Sequence, residues 1–272
     1  MAFLWVSFKG CILVGIYQHF RDEEHPFIDQ VFSWLELVQR TYERRLTDFL
    51  DPREQEIVQS IIGENNSDFN WQFFGGSKAS ERQRAIIAPF YEEITNNCFQ
   101  LALLEGTYND KFMSITHQDV MGTFLSLGID RNKLGDIVIA NGVFQFFTDD
   151  TIVPYLQTNF ISVKRARITL QRKSLSDRLE PNEQWKTFEN VVPSLRLDAV
   201  IRSLFNISRK QATTLVKRGH VKVNFKVVDE LAHTLNEGDL LSVRGKGRGK
   251  FIEINGRTRK NNLKIKTARL QK

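Results

Sequence analysis

The stretch SLRLDAVIRSLFNISRKQATTLVKRGHVKVNFKVVDE, Ser194 to Glu230, decides how this chain is read. Leu195, Leu197, Val200, Ile201, Leu204 and Phe205 recur at helical spacing and give a first helix one apolar face, with Arg196 and Arg202 projecting elsewhere. Asn206-Ile207-Ser208 interrupts it. Ser208-Arg209-Lys210-Gln211 has the form of a capping box, in which the Ser208 hydroxyl and the Gln211 side chain each satisfy the other's backbone amide. A second helix then buries Ala212, Leu215 and Val216 and ends at Gly219, the residue suited to a left-handed cap. A strand from His220 to Asn224 follows. Phe225-Lys226 turns it, Val227-Val228 returns, and Gly238-Asp239 turns into a strand from Leu240 to Arg244.

Two helices and a short antiparallel sheet thus bury the aliphatic residues. Arg196, Arg202, Arg209, Lys210, Lys217, Arg218 and Lys222 remain for the surface. The first amides of the second helix lie beside Arg209 and Lys210, so a phosphate there meets a positive dipole end as well as cationic side chains.

The charge distribution supports a polyanion partner. Residues 191–272 carry 19 basic against 6 acidic residues, a net of +13, whereas residues 1–190 carry 19 against 26, a net of −7. The overall +6 therefore hides a basic C-terminal third on a mildly acidic body. At 272 residues, 41% hydrophobic and 26% charged, the chain has room for two or three folded domains. Cys11 and Cys98 form no metal-binding or disulfide spacing, so a reducing cytoplasmic compartment is expected. The apolar start, residues 1–15, is interrupted by Ser7, Lys9 and Gly10 and is too short to span a bilayer. It reads as an N-terminal extension.

Residues 16–65 read as a helical segment. One helix carries Phe27, Val31, Trp34, Leu35 and Val38, and a second is capped by Asp51 with Pro52 at its first position. Residues 66–175 alternate strands and helices and predict an α/β sandwich. Its strands are expected at Trp71–Phe74, Ala85–Pro89, Cys98–Leu104, Lys111–Ile115 and Ile161–Arg172. A capped helix is expected at Thr116–Leu127, another helix at Thr151–Asn159, and a hairpin around Asn141-Gly142. Residues 176–190 read as a linker, and 191–272 as the basic module with a basic tail. The fold class is α+β.

The pieces RLDAVI (Arg196 to Ile201), SRKQATTLVKRGHVKVN (Ser208 to Asn224) and GDLLSVRGKGR (Gly238 to Arg248) closely resemble the S-four, or αL, RNA-binding domain. In that family the two helices and the following strand bind structured RNA. The resemblance implies an RNA-binding role for Arg196 of the first helix and for Ser208, Arg209, Lys210 and Gln211 at the start of the second. It implies the same for Lys217, Arg218, Gly219, Lys222 and Asn224, with Arg202, Arg244, Lys246 and Arg248 as further candidates.

The larger chain resembles the YlmH family of bacterial proteins. The resemblance rests on IYQHFRDEEHPFIDQV (Ile16 to Val31), FFGGSKASERQRAIIAP (Phe73 to Pro89), THQDVMGTFLSLGIDRNKLGDI (Thr116 to Ile137) and ISVKRARITLQ (Ile161 to Gln171). It implies a non-catalytic protein that binds ribosomal RNA and tRNA on large ribosomal subunits carrying peptidyl-tRNA, in ribosome-associated quality control. It also implies a link to cell division and a division-related protein partner. A second RNA surface is expected in the central domain, where Arg165 and Arg167 alternate with Ala166, Ile168 and Leu170. Lys78, Arg82 and Arg84 follow the Gly75-Gly76 pair and join that candidate surface.

No catalytic set emerges. The only RLD lies inside the basic module, no ATP-binding or glycine-rich cofactor motif is present, and His19 and His25 are six apart, off one helical face. No metal, cofactor or small-molecule substrate is expected. Two alternatives stay open: an RNA-modifying enzyme with an accessory RNA-binding domain, and a division-site scaffold.

Overall fold

The computed structural model describes residues 17–271 except 19, 64–67, 141 and 181–183. The 1–15 stretch with Cys11, His19, and Asn141 of the expected turn therefore lie outside the described residues. The chain divides into two compact units, Met1–Glu180 and Pro181–Lys272.

In the first unit α1 (His25–Thr41) starts with Pro26 in its first turn. It buries Ile28, Val31, Trp34 and Val38 and stops at Tyr42, whose left-handed backbone returns its amide to Val38 O at 2.8 Å. Strand β1 (Arg45–Leu50) follows, where the sequence reading has only helix. α2 (Pro52–Ile62) begins as expected. Asp51 accepts from the Glu54 amide at 2.9 Å, and Glu54 accepts from the Asp51 amide at 2.6 Å.

β2 (Phe69–Phe74) and β3 (Gln83–Pro89) complete an antiparallel sheet of order β1-β3-β2, drawn from both sides of residue 65. β4 (Leu101–Thr107), β5 (Leu134–Ala140) and β6 (Val143–Asp149) belong to a second sheet. Between them α3 (His117–Ser126) is capped by Thr116 and Asp119, and α4 (Val153–Asn159) follows β6. β5 and β6 form the expected hairpin, with Ala140 opposite Val143 and Gly142 at φ +75°.

β3 explains the layering. Ala85 and Ile87 pack with Val31, Trp34, Val38 and Val58 against α1 and α2. The alternate residues Ile86 and Ala88 join Phe49, Leu101, Leu103 and Phe147 in a core between the two sheets. On the far side Leu104, Phe144 and Phe146 meet Val120 and Phe124 of α3 and Leu156 of α4. The unit is four layers, helices–sheet–sheet–helices, and the central strands β3, β4 and β6 are buried on both faces. Each buried Phe contributes about 1.5–3 kcal/mol.

Three expected strands differ. Asn96–Phe99 is a short 3-10 turn, and Gln100 adopts φ +49° before β4 begins. Lys111–Ile115 is turn and coil, with Phe112 87% exposed. Ile161–Arg172 is broken by Lys164 at φ +53° into a tiny hairpin, β7 (Ser162–Val163) and β8 (Ala166–Arg167). Its last residues leave as β9 (Gln171–Lys173), which pairs with β4 to give the order β5-β6-β4-β9. Ile168 and Leu170 are buried in the same core, so the apolar pattern read as one strand marks two short segments folded over it.

The second unit opens with β10 (Trp185–Val192), part of the stretch expected as linker. α5 (Leu197–Phe205) and α6 (Arg209–Lys217) follow, joined through Asn206 at φ +51°. β11 (Val221–Val223), β12 (Lys226–Val227) and β13 (Leu240–Val243) match the expected short strands. Residues expected as a basic tail are instead a long hairpin, β14 (Gly247–Arg257) and β15 (Leu263–Leu270). β15 alternates buried Leu263, Ile265 and Thr267 with outward Lys264 and Lys266, a strand pattern that its charges disguise. The antiparallel order is β10-β15-β14-β13-β11-β12.

One face of this sheet carries Val221, Val223, Leu241, Val243 and Phe251 into a core with Leu197, Val200, Ile201, Leu204, Ala212 and Val216 of the two helices. Gly249 lets α5 approach: a Cβ there would lie 2.3 Å from Leu204 Cδ2.

Candidate nucleic-acid interface

α6 is fixed at its start by the reciprocal bonds expected of Ser208 and Gln211. The Gln211 amide donates to Ser208 Oγ at 3.2 Å, and the Ser208 amide donates to Gln211 Oε1 at 3.1 Å. Both polar side chains are thereby committed to the cap. With Ala212 and Val216 in the core, Lys210, Thr214, Lys217 and Arg218 follow i, i+4, i+7 and i+8 along the outer side. Arg209 is exposed beside them in the first turn. Gly219 at φ +65° then ends the helix, a conformation in which a Cβ is strained, and the His220 amide reaches back to Leu215 O at 2.9 Å. His220 O accepts from the Arg244 amide at 2.9 Å, which places the β13–β14 turn and its Arg244 and Lys246 beside the end of α6.

Arg202, Arg209, Lys210, Lys217, Arg218, Arg244 and Lys246 are all exposed, and among the described residues none of them pairs with a carboxylate. α6 itself contains no acidic residue. Such a surface presents uncompensated charge with no internal partner to displace.

The other candidates sit differently. Arg196 caps the start of α5 by backbone and holds Asp198 through Nε at 3.0 Å and Nη2 at 3.3 Å. Asn224 and Phe225, at φ +47° and +67°, form the two-residue turn between β11 and β12. The Asn224 amide is spent there: Nδ2 donates to Asp239 Oδ1 at 2.8 Å, and Oδ1 accepts from the Leu240 amide at 2.9 Å. Lys222 alternates with buried Val221 and Val223, so it leaves the sheet on the face opposite α5 and α6. It shares a cross-strand row with Ser242 and Arg248, whose guanidinium lies 6.0 Å from the Phe225 ring centroid. The helix cations and the Lys222–Arg248 row therefore occupy two faces. Sequence alone places them on one.

In the first unit the second expected surface loses two members. Arg84 is only 4% exposed, because β3 directs it between the two sheets. Its guanidinium donates to Thr47 O at 2.7 Å, Phe99 O at 3.1 Å and Gln100 O at 3.2 Å, and meets Asp149 at 3.3 Å. Arg82 bridges the same sheets, donating to Phe49 O at 2.7 Å and Leu134 O at 3.1 Å. Burial alone would raise the Asp149 pKa. Hydrogen bonds from Thr151, the Arg84 charge and Lys133 outweigh it and hold the carboxyl below the ordinary aspartate range. Lys78 stays exposed on its loop, as do Arg165 and Arg167 on the β7–β8 hairpin.

Sequence reading passes over a further feature of the second unit. Lys186 and Phe188 on β10 and Arg269 on β15, with Lys246, Leu270 and Gln271, line a groove of about 350 Å³. Period-two alternation in WKTFENVV and LKIKTARL is the signal that would have found it.

Among the described residues no group of three or more His, Cys, Asp or Glu is placed to hold a metal, and no helix is long and apolar enough to cross a membrane.

Comparison with known proteins matches three family models: "YlmH, N-terminal" over residues 23–92, "Putative RNA-binding domain in YlmH" over 95–177, and "S4 domain" over 195–241. The Bacillus subtilis (strain 168) ribosome-associated protein quality control protein P2 is 39% identical over 250 residues, covering 92% of this chain and 96% of that one. Small ribosomal subunit protein uS4A of Clostridium novyi (strain NT) is 46% identical over 66 residues, 23% of this chain and 32% of its own. A solved structure, cell division protein ylmH from Streptococcus pneumoniae, shares the fold at a TM-score of 0.52 and 24% identity over 60% of this chain and 99% of its own. With an S4 domain at its C-terminus, two YlmH domains before it and a 39% identical relative along most of its length, the chain belongs to the YlmH family.

Proposed function

We propose that this chain is a non-catalytic, cytoplasmic RNA-binding protein. It docks on ribosomal RNA and tRNA through α6 and the β13–β14 turn. Its setting is ribosome-associated quality control, on large ribosomal subunits that still hold peptidyl-tRNA after translation stalls. The observation that carries the reading is the group of exposed cations on α6 and the β13–β14 turn, with Arg202 on α5, which have no carboxylate partner among the described residues and lie in or just after the segment that the S4 family model matches. A phosphate at the start of α6 meets Arg209, Lys210 and the first backbone amides together, where the dipole end adds its attraction. The name of the B. subtilis relative supports the ribosomal setting.

Filter-binding titration of a ribosomal RNA fragment across salt tests the docking. Each neutralised phosphate contributes about 0.7–0.9 to the slope of log K against log salt. A steep slope is expected, and a nearly flat one would overturn the reading. Co-sedimentation with large subunits tests the setting, with Arg209→Glu/Lys210→Glu expected to abolish it. Mass spectrometry of ribosomal RNA from a deletion strain tests the non-catalytic part, because a missing modified nucleotide would replace it with an enzymatic role.

A further inference from the structure

The groove of Lys186, Phe188, Lys246 and Arg269 lies outside the 195–241 segment matched to the S4 family, apart from all the residues in which RNA binding was expected except Lys246. It exists because β10 pairs with β15 in a register that sets Lys186 opposite Arg269 and Phe188 opposite Thr267. Thr267 is fully buried beneath, while Phe188 is 36% exposed. Lys186 Nζ stands 5.7 Å from the Phe188 ring centroid. Arg269 lies 5.9 Å over the ring of Phe205 at the end of α5, which holds its guanidinium in place. Lys246 closes the groove from the β13–β14 turn.

Among the described residues three cations and no carboxylate line the groove, which favours an anionic ligand. An aromatic face accompanies them, so the ligand also offers a flat apolar surface. A volume of about 350 Å³ falls at the lower end of small-molecule sites and suits a single nucleotide. Cationic side chains tracking phosphate beside an aromatic that stacks a base is the chemistry of single-strand recognition. Lys246 belongs to both this groove and the α6 surface, so one RNA chain can run from one to the other.

We infer that the β10–β15 groove binds an unpaired nucleotide of the RNA held by α6, with its base on Phe188 and its phosphate among Lys186, Lys246 and Arg269. The inference rests on the RNA-binding reading above and extends it to a single-stranded segment beside the docked structure.

The test uses the full chain and fluorescence anisotropy with a labelled RNA hairpin, either blunt or carrying a single-stranded uridine tail. The wild type is expected to bind the tailed form about tenfold more tightly, a gain in the range of one stacked base. Phe188→Ala and Phe188→Leu should erase that gain and leave the blunt affinity unchanged, while Phe188→Trp retains it. Lys186→Ala should reduce it. A wild type indifferent to the tail, or a Phe188→Leu variant that keeps the gain, overturns the inference and leaves RNA docking by α6 standing. Failure of the wild type to bind either RNA overturns both.

Discussion

Two short basic runs, SKASERQR at Ser77–Arg84 and SRKQATTLVKR at Ser208–Arg218, come to opposite ends. In the first, Arg82 and Arg84 cross-link two sheets from the inside. In the second, Arg209, Lys210, Lys217 and Arg218 stand in solvent without carboxylate partners among the described residues. Composition does not separate them. The difference is the number of covered faces. β3 is roofed by helices on one side and by the other sheet on the opposite side, so Arg84 and every residue after it in the strand is buried, and Arg82 just before it is partly covered. α6 rests on a single layer, and its other side is left to water. A run of positive charge reaches solvent only where the fold leaves one side of it uncovered.

The contrast is broken most severely at Asp149. Asp149→Asn leaves the Arg84 guanidinium buried without its counter-charge, at a cost of about 3 kcal/mol or more in urea denaturation. The pH dependence follows from the lowered Asp149 pKa. The folded state favours the carboxylate, so the stabilisation is fully present above the unfolded aspartate value of 3.8 and is lost as pH falls below it through the folded value. The wild type should therefore lose more stability than Asp149→Asn between pH 4 and acid unfolding. Equal losses would show that the buried pair is not the source.

Arg209→Glu/Lys210→Glu should do the reverse. RNA affinity falls more than tenfold at physiological salt and the salt slope drops by about 1.4–1.8, two contacts' worth. Urea stability stays within about 0.5 kcal/mol, as for exposed substitutions. A stability loss comparable to that of Asp149→Asn would mean that these cations are structural after all.

Ser208→Ala separates the cap from the contact. It should cost about 1 kcal/mol of stability while leaving the salt slope unaltered, because the hydroxyl is bonded within the helix start. The smallest effect belongs to Lys78→Ala, exposed on its loop: stability within about 0.5 kcal/mol. A loss of RNA affinity there would place Lys78 on a binding surface in the first unit.

Local rules carried the reading where an element's own residues settle it. The Asp51, Thr116 and Ser208 caps, the β5–β6 hairpin and the α5–α6 pair all depend on contacts a few residues apart. They failed at Ile161–Arg172, where Lys164 takes a left-handed turn that no glycine or asparagine announces. They also failed at β14–β15, where lysines on the outward positions hid a strand alternation.

By itself the sequence determined the helix pair, its caps and its surplus of positive charge, because those follow from periodicity and composition within about thirty residues. Tertiary structure alone decided which cations meet solvent. It set Arg84 between two sheets, sent Lys222 to the far face, and joined Lys186 to Arg269 across strands more than eighty residues apart in the chain. Burial and cross-strand register are set by what packs on the other side of an element. That information lies in distant parts of the chain and has no local signature.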